Sequence, residues 1–147
     1  MIAPISAKLL DTRAKLPAYG SPDAAGADLY ALIDAPVTIA PGQTVLVRTG
    51  LALAIPKGYV GLVYARSGLA TREGLAPANK VGVIDADYRG EVMVPLHNHS
   101  SANRVVKDGE RIAQLVIMPY LTARFTPVEE LDHTGRGAGG FGSTGSR

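Results

Sequence analysis

The stretch LALAIPKGYVGLVY, residues 51–64, contains two short apolar runs separated by the turn signal Pro56-Lys57-Gly58. Apolar runs of this length that are bounded by proline and glycine are typical of β-strands. Similar runs recur at residues 45–47, 91–94 and 115–118. No segment keeps a helical apolar period for three turns. The pattern predicts an all-β domain, built as a sandwich, a jelly roll or a barrel.

One segment predicts a short helix. Residues 67–74, SGLATREG, follow an apolar run and lack β-branched clustering. Ser67 is a good N-cap residue, because its hydroxyl can accept a hydrogen bond from a free backbone N–H. Gly74 can close the helix in the left-handed conformation. We therefore expect one helical turn or two between strands.

Composition narrows the class of protein. The chain has 147 residues, of which 46% are apolar and 19% charged, as in a single globular domain. Its net charge is +2 without any block of like charge, which argues against a nucleic-acid or membrane-surface partner. The absence of cysteine excludes disulfides and thiolate metal sites. With no signal-peptide or membrane-spanning pattern, we expect a soluble cytoplasmic protein.

The composition changes at residue 136. RGAGGFGSTGSR, residues 136–147, holds five glycines, so we expect a β domain over residues 1–135 followed by a mobile segment over residues 136–147. The spacing is close to a Walker A loop, but Ser143 stands in place of the lysine. Glycine N–H groups, the Ser143 and Thr144 hydroxyls and Arg136 can all bind phosphate, and Phe141 can stack on a nucleobase. On these residues alone a disordered tail is the alternative.

Three internal segments have both a functional and an ordinary interpretation. Residues 65–68, ARSG, can bind an anion or can simply begin a helix. In residues 82–92, GVIDADYRGEV, the aspartates either form a turn or supply a general base for water. Gln114 interrupts an apolar run, so its amide needs partners from either the protein or a ligand. His97 and His99 lack an evident third ligand for zinc, and we interpret them as surface histidines.

In this order, five segments resemble the five motifs of the homotrimeric dUTPase family. They are AGADLYA (25–31), ARSGLA (65–70), GVIDADYRGEV (82–92), GERIAQLVI (109–117) and RGAGGFGSTG (136–145). The resemblance implies a jelly-roll fold and a homotrimer whose three active sites lie between subunits. It also implies hydrolysis of dUTP to dUMP and pyrophosphate by attack of water on the α-phosphorus, which limits uracil incorporation into DNA and supplies dUMP for dTMP synthesis.

The resemblance assigns roles to individual residues. Asp85 activates the water, Arg66, Ser67 and Gly68 bind the phosphates, and Gln114 supports the network of water and phosphate. Mg²⁺ binds the triphosphate, with Asp28 in contact only through water. Base and sugar recognition falls to the turn that contains Asn79, Val83 and Ile84, with Tyr88 under the deoxyribose and Met93 nearby. Residues 136–147 form the lid, in which the ligand contacts are made by Arg136, Phe141, Gly142, Ser143 and Thr144.

The sequence is also compatible with two other functions. A dCTP deaminase-like enzyme would share the fold, although deamination calls for a glutamate where the sequence has Asp85-Ala86-Asp87-Tyr88. A non-catalytic β-trimer could use the glycine-rich segment to bind a partner protein. Release of ammonia from dCTP without release of pyrophosphate from dUTP would identify the first. The second predicts no nucleotide hydrolysis and partner binding that Asp85→Ala does not change.

Overall fold

The computed structural model describes residues 4–141, which form eleven strands and one helix. In chain order these elements are β1 (Ser6–Leu9), β2 (Ala18–Tyr19), β3 (Ala27–Tyr30), β4 (Val37–Ile39), β5 (Thr44–Ala54), β6 (Tyr59–Tyr64), α1 (Ser67–Glu73), β7 (Leu75–Pro77), β8 (Gly82–Ile84), β9 (Glu91–Asn98), β10 (Arg104–Val106) and β11 (Arg111–Pro119). The expected all-β class with one short helix is confirmed.

The strands form three antiparallel sheets. Their orders are β1-β5-β9-β7, β2-β3-β11-β6-β8 and the short pair β10-β4. The two larger sheets contribute to one apolar core, with Val94 and Leu96 from the first and Leu29 and Leu115 from the second. Because each sheet buries one face against the other, the domain is a jelly-roll-like sandwich.

Buried and accessible residues alternate along the strands, because one face of each sheet packs on the core. In β6 the buried residues Gly61 and Val63 alternate with more accessible ones, as expected for a strand with one face on the core. The runs at 45–47 and 51–55 belong largely to one strand, β5, whose pairing with β9 shifts between Arg48 and Ala52. Gly50 lies in this shift at φ 70°, a conformation that glycine adopts without strain.

Helix α1 begins one residue earlier than the sequence suggests. Arg66, not Ser67, is the N-cap: its backbone is extended (φ −83°, ψ 131°) and its carbonyl accepts the first helical bond, from the Ala70 N–H at 2.9 Å. Ser67 is already helical, so the prediction that its hydroxyl caps the helix is wrong. The prediction for Gly74 is confirmed, since it ends the helix at φ 69°.

After β11 the described chain leaves the sandwich. Every residue from 118 to 138 is exposed, and no strand or helix forms between 120 and 141. We call residues 120–135 the arm. The one described helix, α1, is far too short to span a bilayer.

Candidate active site

One carboxylate organises two arginines at an end of the five-stranded sheet. Asp28, on β3, accepts a hydrogen bond from Arg66 Nε at 2.8 Å on one oxygen and from Arg111 Nη1 at 3.3 Å on the other. The Asp28 side chain is 14% exposed and that of Arg66 27%, so the pair is partly shielded from water. Because Arg66 donates to Asp28 through Nε, the two terminal nitrogens of Arg66, Nη1 and Nη2, are not used in this contact.

Gln114 lies beside this pair. It is paired in register with Asp28 on β3 and with Tyr64 on β6, so the three side chains lie on the same face of the sheet. Its Nε2 donates to the Ala65 carbonyl at 2.9 Å. The polar side chain within the apolar run is therefore satisfied, and it joins β11 to the segment that leads into α1.

These groups line a cleft of about 630 Å³, which we call the arginine cleft. Among the residues that line it are Asp28, Arg66, Ser67, Gly68, Arg111 and Gln114. The structure thus brings together three of the residues expected to bind phosphate (Arg66, Ser67 and Gly68), the candidate metal-linked carboxylate Asp28, and Gln114.

Asp85 lies in a different cleft. It follows β8, is exposed, and shares a cavity of about 730 Å³ with Lys57, Asp87, Arg89 and Tyr120. We call this cavity the Asp85 cleft. The same chain therefore does not place its own Asp85 beside its own Arg66.

The geometry of β6 explains the separation. Ile84 is opposite Gly61, and Asp85 continues toward the beginning of β6, whereas Arg66 follows its end at Tyr64. The step from Gly61 to Tyr64 alone covers about 10 Å at the usual rise of a strand. The two candidate halves of the site lie at opposite ends of one strand.

Tyr88 is fixed within the hairpin that follows Asp85. Its hydroxyl donates to the Glu91 carbonyl at 2.9 Å, and its N–H donates to the Asp85 carbonyl at 3.1 Å. The ring lies directly over Gly90: a Cβ at Gly90 would be 2.6 Å from Tyr88 Cζ. Only glycine leaves room for the ring in this position, and the Tyr88 residue is 44% exposed.

The residues expected to recognise the base are arranged around β8. Asn79 is exposed in a turn where the Val81 N–H donates to its carbonyl at 2.7 Å, and Lys80 adopts φ 65°. Val83 is 63% exposed, but Ile84 is 8% exposed and belongs to the core. Ile84 can therefore offer a ligand only its backbone. Met93 is exposed on β9, in the other large sheet.

His97 and His99 lie close to each other at the end of β9. Their ring centroids are 4.5 Å apart, and His97 Nδ1 is hydrogen-bonded to Thr44 Oγ1 at 2.8 Å. Partial desolvation, and then the neighbouring His97 and Lys80, lower the pKa of His99. Within residues 4–141 no group of three or more histidine, aspartate or glutamate side chains is gathered in a way that could hold a metal ion.

The described part of the glycine-rich segment makes only local bonds. Arg136 Nε donates to the Gly139 carbonyl at 2.7 Å, and the Gly137 N–H bonds to Thr134. Phe141 is fully exposed at φ 51°. Neither Arg136 nor Phe141 is among the residues that line the two clefts. The predicted ligand contacts of Gly142, Ser143 and Thr144 fall outside the described residues.

A sequence model of the dUTPase family matches residues 12–145. The chain belongs to the dUTPase family.

Relatives and solved structures agree with this membership. A protein of Desulfitobacterium hafniense named deoxyuridine 5'-triphosphate nucleotidohydrolase is 56% identical over 136 residues, covering 92% of this chain and 90% of that protein. A mutant dUTPase of Staphylococcus bacteriophage 80alpha, solved with dUpNHpp, superposes with a TM-score of 0.86 at 29% identity, over 98% of this chain and 99% of that one. A mutant dUTPase from phage phi11 of S. aureus, with a structural Mg(II) ion, has a TM-score of 0.76 at 28% identity, over 87% and 98%.

Sequence reasoning missed two basic residues that line the arginine cleft of this dUTPase family member. Arg111 lies within the fourth motif-like segment and bonds to Asp28, 83 residues away in the sequence. Arg72 lies on α1 and also lines the cleft. Neither could be assigned from spacing, because the antiparallel pairing of β3 with β11 and the orientation of α1 bring them there.

Proposed function

We propose that this chain hydrolyses dUTP to dUMP and pyrophosphate, with water attacking the α-phosphorus in sites shared between the subunits of a homotrimer. The chain is a dUTP diphosphatase, as its family membership and its relatives indicate. The division of the site between chains is supported by one observation: Asp85 and the phosphate-binding candidates line different clefts.

The arginine cleft binds the triphosphate. Arg66 is oriented by the Asp28 carboxylate through Nε, so its terminal nitrogens can form two parallel bonds to phosphate oxygens. Ser67 contributes a hydroxyl that is not used for capping, and Gly68, in the first turn of α1, offers its backbone N–H to a phosphate oxygen. Gln114, fixed on the Ala65 carbonyl, keeps the strand end and Arg66 in one arrangement.

Asp85 of a neighbouring subunit supplies the base. Its exposed carboxylate accepts a proton from the attacking water and orients that water toward the α-phosphorus. The remaining chemistry is positioning and stabilisation of phosphate charge, which the arginines and backbone N–H groups provide. The products are dUMP and pyrophosphate, and one proton passes to the Asp85 carboxylate.

The extended arm supports assembly with further copies of the chain. Leu121, Phe125 and Leu131 are 97%, 91% and 82% exposed, which is unusual for large apolar side chains in a monomer. Burial of these side chains on neighbouring protomers would remove apolar surface from water. A trimer of this kind brings the arginine cleft of one protomer to the Asp85 cleft of another.

The lid and the base turn complete the site. Residues 136–147 close over the nucleotide, with Arg136 on a phosphate, Phe141 stacked on the base, and Gly142, Ser143 and Thr144 as phosphate donors. The Asn79 amide and the backbone at Val83 and Ile84 pair with the uracil edge. Met93 lies beside the substrate and makes a backbone contact.

Mg²⁺ fits this site as an ion held by the substrate. Asp28 already accepts a guanidinium hydrogen bond on each oxygen, yet a carboxylate has about four lone-pair sites. Asp28 can therefore accept a hydrogen bond from a metal-bound water, whereas two adjacent arginines disfavour direct coordination of the cation. When bound, the ion neutralises triphosphate charge.

A pyrophosphate assay tests the reaction. We expect release from dUTP in the presence of Mg²⁺ and little release from dTTP, dCTP or UTP. Mass measurement of the intact assembly in solution tests the trimer separately. An enzyme that hydrolyses dUTP as a monomer would overturn the shared site but not the reaction.

The sugar gate gives a specific prediction. Replacing Tyr88 by Ala is expected to raise the ratio of kcat/KM for UTP to that for dUTP by roughly tenfold or more, because the ring excludes a ribose 2'-hydroxyl. Gly90→Ala should act in the same direction, since a Cβ there overlaps the Tyr88 ring. Steady-state kinetics with both nucleotides measure the ratio.

Tyr88→Phe is the matched control for this gate. It removes the hydroxyl bond to the Glu91 carbonyl but keeps the ring, so most of the discrimination should remain. An unchanged UTP to dUTP ratio in Tyr88→Ala would contradict the assignment.

A further inference from the structure

Gly68 and Arg72 form a unit on one face of α1. They are four residues apart, so their side-chain positions are neighbours on the helix surface. A Cβ placed on Gly68 would lie 2.8 Å from Arg72 Nη2 and 3.5 Å from Cζ. The guanidinium of Arg72 therefore folds back over the first turn, in the space that Gly68 leaves empty.

This direction follows from helix geometry. Side chains in a helix tilt toward its N-terminal end and cover the preceding turn. Arg72 lies in the last turn of α1, yet its charged end reaches Gly68 in the first turn, and both residues line the arginine cleft. Its guanidinium is thus directed away from the carbonyl groups at the end of the helix.

The charges around the cleft set Arg72 apart from the other arginines. Asp28 is paired with Arg66 and Arg111, and Glu73 is paired with Arg104 at 2.6 Å. Among residues 4–141, the Arg72 side chain has no hydrogen bond and no ion pair. Three arginines and two carboxylates line the cleft, and the excess positive charge includes the Arg72 guanidinium, whose donors have no partner among residues 4–141.

We infer that Arg72 binds the pyrophosphate half of the nucleotide, and that Gly68 is a positioning residue that leaves room for its guanidinium. This inference rests on the proposed function of the arginine cleft. A guanidinium suits this ligand because its parallel N–H groups match two phosphate oxygens. The β- and γ-phosphates carry most of the charge of the triphosphate, and they leave together as pyrophosphate.

Binding measurements test the role of Arg72. Arg72→Ala should weaken binding of dUpNHpp roughly tenfold, the loss expected for one charge-assisted contact, and should leave dUMP binding unchanged. The inhibition constant for pyrophosphate should rise by a similar factor. Arg72→Lys should recover part of the loss, while Lys107→Ala, which removes an exposed cation outside both clefts, should change neither ligand.

A double-mutant cycle tests Gly68. Because the Cβ of Gly68→Ala meets the far end of a flexible side chain, the variant should fold and displace the Arg72 guanidinium. Gly68→Ala/Arg72→Ala should then bind dUpNHpp about as weakly as Arg72→Ala alone. Additive losses would overturn the positioning role of Gly68.

Other outcomes separate this inference from the proposed function. Unchanged dUpNHpp binding in Arg72→Ala, or an equal loss for dUMP, would overturn the role of Arg72 even if the wild-type chain hydrolyses dUTP. A lower melting temperature with unchanged nucleotide affinity would show that Arg72 serves only the helix. A wild-type chain that leaves dUTP intact would instead refute the proposed function.

Discussion

Replacing Asp85 by Asn is expected to lower kcat for dUTP hydrolysis by roughly 10²- to 10⁴-fold, the range for loss of a general base. Asparagine keeps the size of the side chain but cannot accept the proton of the attacking water. Because Asp85 is proposed to contact the attacking water and not the nucleotide, binding of dUpNHpp should hardly change. Single-turnover hydrolysis and calorimetric titration measure the two effects separately.

Asp87→Asn is the matched control, because Asp87 is an exposed carboxylate in the same cleft and the same hairpin. We expect its kcat to stay close to that of the wild-type chain. If Asp87→Asn were the inactive variant and Asp85→Asn the active one, the base would be assigned to the wrong carboxylate.

Mixed assemblies of two inactive variants extend this test to the shared site. If the site is shared as proposed, Asp85→Asn and Arg66→Ala chains that are refolded together should form some sites that combine an intact Arg66 from one chain with an intact Asp85 from another. Random mixing of equal amounts should restore about one quarter of the sites. If each active site lay within a single chain, the mixture would stay inactive, as would a mixture of Asp85→Asn with Asp85→Ala.

Removing residues 136–147 is expected to lower kcat/KM for dUTP by roughly 100-fold or more, because the proposed phosphate contact of Arg136 and the proposed base stacking of Phe141 are lost together. The melting temperature without nucleotide should fall by no more than about 2 °C. The described part of this segment bonds only to itself and to Thr134. Steady-state kinetics and thermal unfolding of the two chains measure these effects.

A chain that ends at Gly145 is the control for the truncation, because it keeps every residue to which a ligand contact is assigned. It should retain nearly full activity. A large loss of thermal stability in the longer truncation would indicate that the segment is part of the folded body and not a lid.

Local signals in the sequence were sufficient to predict strand β6 and the end of helix α1. The run at 59–64 corresponds to β6 residue for residue, and Gly74 closes α1 as expected. In both cases the information lies within a few neighbouring residues: alternation against a core for the strand, and a left-handed conformation for the glycine. The N-cap prediction was wrong by one residue because Arg66, and not Ser67, has the extended backbone that an N-cap adopts.

The arrangement of the candidate site could not be predicted from local signals, because it depends on contacts between residues far apart in the sequence. The pairing of Asp28 with Arg66 joins residues 38 apart, and it depends on which strands become neighbours in the sheet. The placement of Asp85 at the other end of β6 depends on the register between β6 and β8. Motif resemblance selected the candidate residues, and the register of the strands places them in two separate clefts.

The exposed apolar side chains of the arm make a newly synthesised, unassembled chain sensitive to its own concentration. If the proposed trimer forms, a protomer that has not yet bound other copies exposes Leu121, Phe125 and Leu131 on the irregular backbone of the arm. An exposed irregular segment of this kind is readily cleaved by proteases, and its apolar side chains can bind unrelated proteins nonspecifically. At a low concentration of the protein, more protomers would remain unassembled and exposed to degradation. A concentration high enough for association would keep these side chains buried.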